Sequence, residues 1–302
     1  MRTVQRPTRD DVLAAELRVR GLLAPTPLVE SDGFSLKLES LQPTGSFKVR
    51  GAVSALTLLE PRERVVTASA GNHGLAVAWA SERLGLDATI VVAETASPAK
   101  IAAIRRFPAR LVVHGADYDE AERHGLSLEG RYVSPYNDAG VIAGAGTIAL
   151  ELAGAATIVA PVGGGGLVAG IALATDARVV GVVPEAFPAM RAALDAGRLV
   201  TIEGRETIAD GLHGNIEAGS VTFELVRDHA AAVVTVTERE IEEAMRFLAA
   251  EHGLVTEGAG AAAVAALRSG AVDADGRTVA IVSGRNITAG RFAQALDHRA
   301  GR

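Results

Sequence analysis

Thr157-Ile158-Val159-Ala160-Pro161-Val162-Gly163-Gly164-Gly165-Gly166-Leu167-Val168-Ala169-Gly170 is the stretch on which the fold turns. Residues 157–162 are apolar and rich in β-branched side chains, as in a strand buried on both faces. Four glycines follow, and residues 167–174 have the composition of a core helix. The segment sits inside a longer run, 152–175, that carries no charge. That length could span a bilayer. Pro161 and the glycines would break a lipid-exposed helix, so strand, turn and helix is the preferred reading and no membrane partner is expected.

The same alternation recurs on both sides. Residues 64–69, 87–93, 110–114, 178–183 and 278–283 read as strands. They are followed by helical runs at 73–84, 98–107, 117–128, 187–196 and 287–296. Thr8 and Asp11 form a capping-box pattern before a helix at 12–22, and Thr237 with Glu240 does so before one reaching about residue 251. Strand–helix alternation predicts an α/β fold with open parallel sheets covered by helices.

The 302 residues are 48% apolar and 22% charged with a net charge of −6, a globular composition. Aromatics are 4% and there is no basic stacking surface, so no nucleic-acid partner is expected. The absence of cysteine removes disulfides, thiolate catalysis, iron–sulfur clusters and the usual structural zinc sites. The N-terminal residues lack the apolar core of a secretory signal, so a cytoplasmic location is expected. Of thirty basic residues only Lys37, Lys48 and Lys100 are lysines. A nucleophilic amine has those three candidates, because a guanidinium stays protonated.

Open α/β sheets bind ligands at the carboxyl ends of their strands. Three such loops carry chemistry. Gly163, Gly164, Gly165 and Gly166, with Leu167 behind them, leave backbone N–H groups free to wrap a phosphate at a helix N-terminus. A dinucleotide turn, with Glu185 further on, and a plain tight turn remain open for this loop. Ser69-Ala70-Gly71-Asn72-His73 crowds donors around another helix start and suits a carboxylate. Ser46-Phe47-Lys48 places a lysine just inside a helix, against the local dipole, where a neutral amine able to form a Schiff base is favoured. Lys37, on a short strand, and Lys100, early in a helix, read as structural. Ser283 offers a hydroxyl at a fourth strand end.

Taken in order, Ser46-Phe47-Lys48-Val49-Arg50-Gly51-Ala52, Ser69-Ala70-Gly71-Asn72-His73-Gly74, Gly163 to Leu167 and Ser283-Gly284-Arg285-Asn286 resemble the fold type II (tryptophan-synthase-like) pyridoxal-phosphate enzymes. Within them the chain looks most like the threonine/serine dehydratases. The resemblance implies two open parallel-sheet domains with the active site in the cleft between them. It places a small domain at 64–138, and a large one at 1–63 and 139–302. It implies that Lys48 forms the Schiff base with pyridoxal 5'-phosphate, that Gly163 to Gly166 and Leu167 cup the phosphate, and that Asn72 bonds the ring hydroxyl. Ser283 would face the ring nitrogen, and Ser69, Ala70, Gly71, Asn72 and His73 would hold the substrate carboxylate. A serine holds a ring nitrogen less protonated than an aspartate does, which suits β-elimination. The implied substrate is a small hydroxy amino acid, L-threonine or L-serine, converted to a 2-oxo acid and ammonia, with Lys48 taking the Cα proton. A homodimer or homotetramer is implied too.

The departures matter. Ala70 stands where serine racemases need a proton-carrying serine, which ranks a racemase below a dehydratase. Val183 stands where metal-binding members carry glutamate, so no metal is expected there. Arg285 is unusual, and with Glu257 it is a candidate to face the substrate, in which case 3-hydroxyaspartate becomes an alternative. His213 fits no motif. The chain ends soon after Ser283, so no feedback domain is expected. From another class, an oxidoreductase binding a dinucleotide at residues 163–170 is the rival, and it leaves Lys48 unexplained.

Overall fold

The computed structural model describes residues 3–61 and 63–297. The strands are β1 (Leu28–Glu30), β2 (Ser35–Lys37), β3 (Arg64–Ala68), β4 (Asp87–Val92), β5 (Arg110–Val113), β6 (Arg131–Tyr132), β7 (Thr157–Pro161), β8 (Arg178–Pro184), β9 (Ala232–Val236) and β10 (Thr278–Ile281). The helices are α1 (Arg9–Arg20), α2 (Lys48–Leu56), α3 (Asn72–Leu84), α4 (Pro98–Ile104), α5 (Tyr118–Ser127), α6 (Ala139–Gly146), α7 (Gly166–Ala174), α8 (Ala189–Ala196), α9 (Val221–His229), α10 (Glu238–His252), α11 (Gly258–Arg268) and α12 (Ala289–Leu296).

Two open sheets result, as expected. One has the order β1-β2-β10-β7-β8-β9 and the other β5-β4-β3-β6. All pairings are parallel except that of edge strand β1 with β2. Each sheet has a topological switch point. The chain leaves β3 for β4 and β5 on one side and returns to β6 on the other. In the larger sheet it leaves β7 for β8 and β9, then returns to β10 on the opposite side of β7. The loops after β3, β7 and β10 therefore diverge from their neighbours and open crevices at strand carboxyl ends.

The caps follow the sequence. Thr8 and Asp11 cap α1 reciprocally, and Thr237 and Glu240 cap α10 in the same way. The last strand ends two residues earlier than the composition suggests. Ser283 leaves the sheet because its carbonyl accepts the Phe47 N–H and Gly284 pairs with Ser46, which pulls the chain toward the start of α2.

Apolar clusters cover both faces of both sheets. Helix α2 contributes Val49, Ala52, Val53 and Leu56 to the cluster that also holds Val65, Val77 and Ile90 of the smaller sheet's layer. Beneath α2 lies a buried ionic network. The Arg50 guanidinium reaches Glu39 at 2.7 and 2.8 Å and Glu151 at 2.7 and 3.0 Å. Lys37 pairs with Glu151 and donates to the Thr26 carbonyl. Burial works against the charge on Arg50, but Glu39 and Glu151 outweigh it and raise its pKa above the ordinary value. Glu151 is lowered in spite of its burial, because it bonds Arg50 and Lys37.

Replacing Arg50 with methionine leaves Glu39 and part of Glu151 buried without a cation. Such a loss costs about 3–5 kcal/mol. Urea denaturation of R50M is expected to show it, and a loss under about 1 kcal/mol would contradict it.

Candidate active site

A cleft of about 720 Å³ opens between the carboxyl ends of the two sheets. Lys48, the first residue of α2, stands in its wall. Phe47 supplies no side-chain cap, and the lysine amine donates to the Pro135 carbonyl at 2.7 Å. Burial lowers the amine to about 8 against the opposing charge of Glu257. The same amine in water would titrate near 10.5, so a much larger neutral fraction is present at physiological pH.

Behind Lys48 a narrow recess of about 50 Å³ is lined by Gly163, Gly164, Gly165, Gly166, Leu167, Asn72, Glu257 and Ser283. Its floor requires glycine. Gly165 has φ +91°, and a Cβ on Gly164 would lie 2.3 Å from the Tyr136 ring. The first N–H groups of α7 have no helical partner and face an anion-sized space. Ser283 is buried, with its hydroxyl 3.3 Å from the Ala259 carbonyl. The recess shares Lys48, Asn72, Gly163 and Gly164 with the cleft, and a phosphate cradle, a lysine amine and a neutral hydroxyl along this joined space fit pyridoxal phosphate.

The loop after β3 forms the opposite wall. Ser69, Ala70, Gly71, Asn72 and His73 all line the cleft. Ser69 Oγ accepts the Gly71 N–H at 3.2 Å. The Asn72 amide is held at both ends: Nδ2 donates to Glu257 Oε1 at 2.7 Å and Oδ1 accepts from Asn286 at 2.6 Å. Asn286 also donates to the Thr44 carbonyl, tying this wall to the loop before Lys48. The His73 ring is buried against the Val133 carbonyl, 3.1 Å from Nε2, and its Nδ1 has no partner. Burial first, and the Lys48 charge second, push it down to about 3. The ring is therefore neutral, and any hold on a carboxylate comes from the N–H groups at the start of α3 rather than from an imidazolium. Glu257 is pushed up to about 7 by burial and by Asp210, against the Asn72 hydrogen bond. Its carboxylate demands Gly284, where a Cβ would sit 2.1 Å from Oε1.

Arg285 departs from expectation. It is exposed and lines none of the described cavities, while its neighbour Asn286 does. The Arg285 N–H is fixed to the Gly45 carbonyl, and the turn that follows directs the next side chain inward. Glu257 does line the cleft. His213 lies at the cleft mouth, its ring 4.3 Å from that of Phe187. Lys37 is buried in the ionic network, whereas Lys100 borders the cleft and pairs with Asp210 at 2.8 Å. Tyr136 escaped the sequence reading, while Asp210 and Asn286 lay in segments that resemble the family without being singled out as site residues. Tyr136 follows a two-residue strand, and Asp210 sits in a segment with no periodic pattern. Val183 is buried in β8.

The chain matches the family model described as pyridoxal-phosphate dependent enzyme over residues 19–284. It is 40% identical to an L-threonine ammonia-lyase of Thermotoga maritima, covering 93% of this chain and 76% of that protein. It is 39% identical to the catabolic L-threonine dehydratase TdcB of Escherichia coli K12, covering 94% of each. Among solved structures, a threonine deaminase from T.th. superposes with a TM-score of 0.87 at 34% identity, covering 93% of this chain and 99% of that one. Maize serine racemase gives 0.89 at 27%, covering 97% of each.

His73 and Glu257 oppose each other in acid. Between pH 6.5 and 4.5 the unfolded chain protonates the histidine while the native one does not, so the His73 contribution to stability is lost as pH falls. Over the span from 4.5 to 7 native Glu257 holds a proton that the unfolded chain releases, so its contribution grows as pH falls. In the cofactor-free protein, Glu257→Gln is expected to steepen the loss of stability between pH 6.5 and 5, and His73→Gln to flatten or reverse it. Chemical denaturation at the two pH values checks this, and parallel profiles for both variants and the parent contradict it.

Proposed function

Since the chain belongs to the pyridoxal-phosphate-dependent enzyme family, we propose that it is an ammonia-lyase acting on L-threonine, and on L-serine as the smaller homologue. The observation that carries the reading is one recess shared by the Lys48 amine, the Gly163–Leu167 cradle and the neutral Ser283 hydroxyl. Bound there, pyridoxal phosphate supplies an electron sink for a substrate joined through its amine. Gly163, Gly164, Gly165, Gly166 and Leu167 would hold its phosphate through backbone N–H groups, Asn72 would hold its ring hydroxyl, and Ser283 would serve its ring nitrogen.

The rest is done by the chain's own groups. The backbone N–H groups from Gly71 to His73, with the Ser69 hydroxyl, bind and orient the substrate carboxylate. The amine of Lys48 lies where burial lowers it to about 8, so a far larger share of it is neutral than in water, and in that form it takes the Cα proton. The β-hydroxyl departs with the C–O electron pair as water, the proton it gains balancing the one that Lys48 took from Cα. Hydrolysis then yields the 2-oxo acid and ammonia. Ala70 bears on the outcome. Its methyl lines the cleft and carries no proton, so the opposite face of Cα has no donor at that position. This favours elimination over racemisation. The position of Arg285, outside the cleft, takes away the support for a second substrate carboxylate at that residue.

A cytoplasmic setting belongs to the same proposal. Among the described residues, no helix is long and apolar enough to cross a membrane.

The purified holoenzyme is expected to absorb in the visible region and to release 2-oxobutyrate from L-threonine. Lys48→Ala is expected to abolish both. A panel of L-threonine, L-serine, D-serine and the 3-hydroxyaspartates ranks the substrates, with the first two expected to lead. A colourless wild-type protein that takes up no added cofactor overturns the reading.

A further inference from the structure

A second cavity, of about 300 Å³, lies on the far side of the Asn72–Glu257 wall. It shares Ala70, Gly71, Asn72, Glu257, Asn286, Lys100 and Asp210 with the main cleft. Its remaining walls belong to no part of the chemistry described above. Leu75 of α3, Ala99 and Ala103 of α4, Ile208, and Ile287 before α12 make them mostly aliphatic, with Ser97 and Thr288 adding two hydroxyls. All of these side chains are at least partly exposed and line the cavity, with Ile208 and Ile287 also resting against the apolar cluster beneath.

The polar end is unbalanced. Lys100 Nζ lies 2.8 Å, and Arg291 Nη1 3.5 Å, from the same oxygen, Asp210 Oδ2. Two cations from two different helices thus meet one carboxylate. The second acid, Glu257, is engaged by Asn72. Its own burial pushes it up to about 7, so near neutral pH it supplies only part of a negative charge. Arg291 carries five N–H donors, and its one described ionic contact is that long one to Asp210. An anion entering the cavity would meet a guanidinium with spare donors and an ammonium at one end, and aliphatic surface at the other. The volume is at the small end for a ligand pocket and excludes large effectors.

We propose that this cavity, between Lys100 and Arg291 on one side and Leu75, Ala103, Ile208 and Ile287 on the other, is a second binding site for a small aliphatic monocarboxylate. The bound carboxylate pairs with Arg291 and Lys100, and its alkyl group lies against α3 and α4. Asn72 and Glu257 form the partition, so an occupant of the cavity acts on the wall that orients substrate in the cleft. Reciprocity then requires that ligands in the cleft alter the affinity of the cavity.

The test is a calorimetric titration of the cofactor-loaded protein with sodium butyrate, with butyramide as the uncharged control. Wild type is expected to bind butyrate saturably and to give no signal with butyramide. Arg291→Met is expected to weaken binding about tenfold, the size of a lost charge-assisted pair. Ala103→Phe, which fills the apolar half, is expected to abolish it. Neither residue touches the site of the chemistry, so the visible absorption of both variants should match wild type. Absence of saturable binding to wild type overturns the proposal. Equal binding by all three proteins also overturns it, since the butyrate would then occupy the carboxylate loop of the main cleft. The measurement needs no turnover, so it stands apart from the assignment of L-threonine as substrate.

Discussion

The arrangement depends on a guanidinium that has no business in an apolar interior unless it is fully paired. Arg50 is almost inaccessible, and so is Glu39. Transfer of such a charge out of water is recovered only by close geometry on both sides. Here the geometry joins three separate parts of the chain. Glu39 follows β2, Arg50 lies on α2, and Glu151 lies after α6. Thr26 Oγ1 donates to Glu39 at 2.6 Å and Lys37 closes the circuit through Glu151. The reactive lysine is two residues before Arg50, at the other end of the same helical turn. A two-sided charged clamp sets the axial position of α2, and with it the depth at which the Lys48 amine enters the cleft.

Topology supplies the other half of the placement. Each sheet reverses its strand order once, and the loops next to those reversals are the ones that carry the site. Ser69 to His73 follow β3; Gly163 to Gly166 follow β7; Ser283 to Asn286 follow β10. A loop between two strands laid down in the same direction is confined by its neighbours. At a reversal the adjacent connections go to opposite faces, and a crevice is left. The two crevices face each other across the cleft, bridged by Asn72 to Glu257 and Asn72 to Asn286.

Much of this was legible in the sequence because the local signals were strong. Thr8 and Thr237 announced their helices through reciprocal caps, and Gly163 to Gly166 announced the β7–α7 turn. What stayed hidden has a physical cause in each case. Helix α11, Gly-Ala-Gly-Ala-Ala-Ala-Val-Ala-Ala-Leu-Arg, is buried all round, so it has no amphipathic period to read. Strand β6 is two residues long and exists only because β3 offers an edge. Asn286 was passed over for Arg285, since one backbone bond to Gly45 decides which of two adjacent side chains faces inward. Lys100 read as structural because an amine early in a helix is normally solvated. Its helix, however, begins at the carboxyl end of β4, and that end of the sheet is the cleft.

The electrostatics of the inner wall follow from a single tendency. Lys48 is pushed down to about 8, His73 down to about 3 and Glu257 up to about 7, and burial is the largest cause each time. All three move toward their neutral forms, whatever the sign of the charge they would carry. A wall of this kind is poor at holding ions through side chains and good at holding them through fixed dipoles. That is why the anion-binding work falls to backbone N–H groups at the starts of α3 and α7, which carry no net charge to desolvate. It also separates two lysines that composition could not tell apart. Lys100 keeps a carboxylate partner at the open edge of the cleft, where an anion can reach it. Lys48 donates to a carbonyl instead, and the charge of Glu257 offsets its burial only in part. An amine in that position gains from giving up its proton, and the carbonyl of Pro135 orients the N–H bonds that remain.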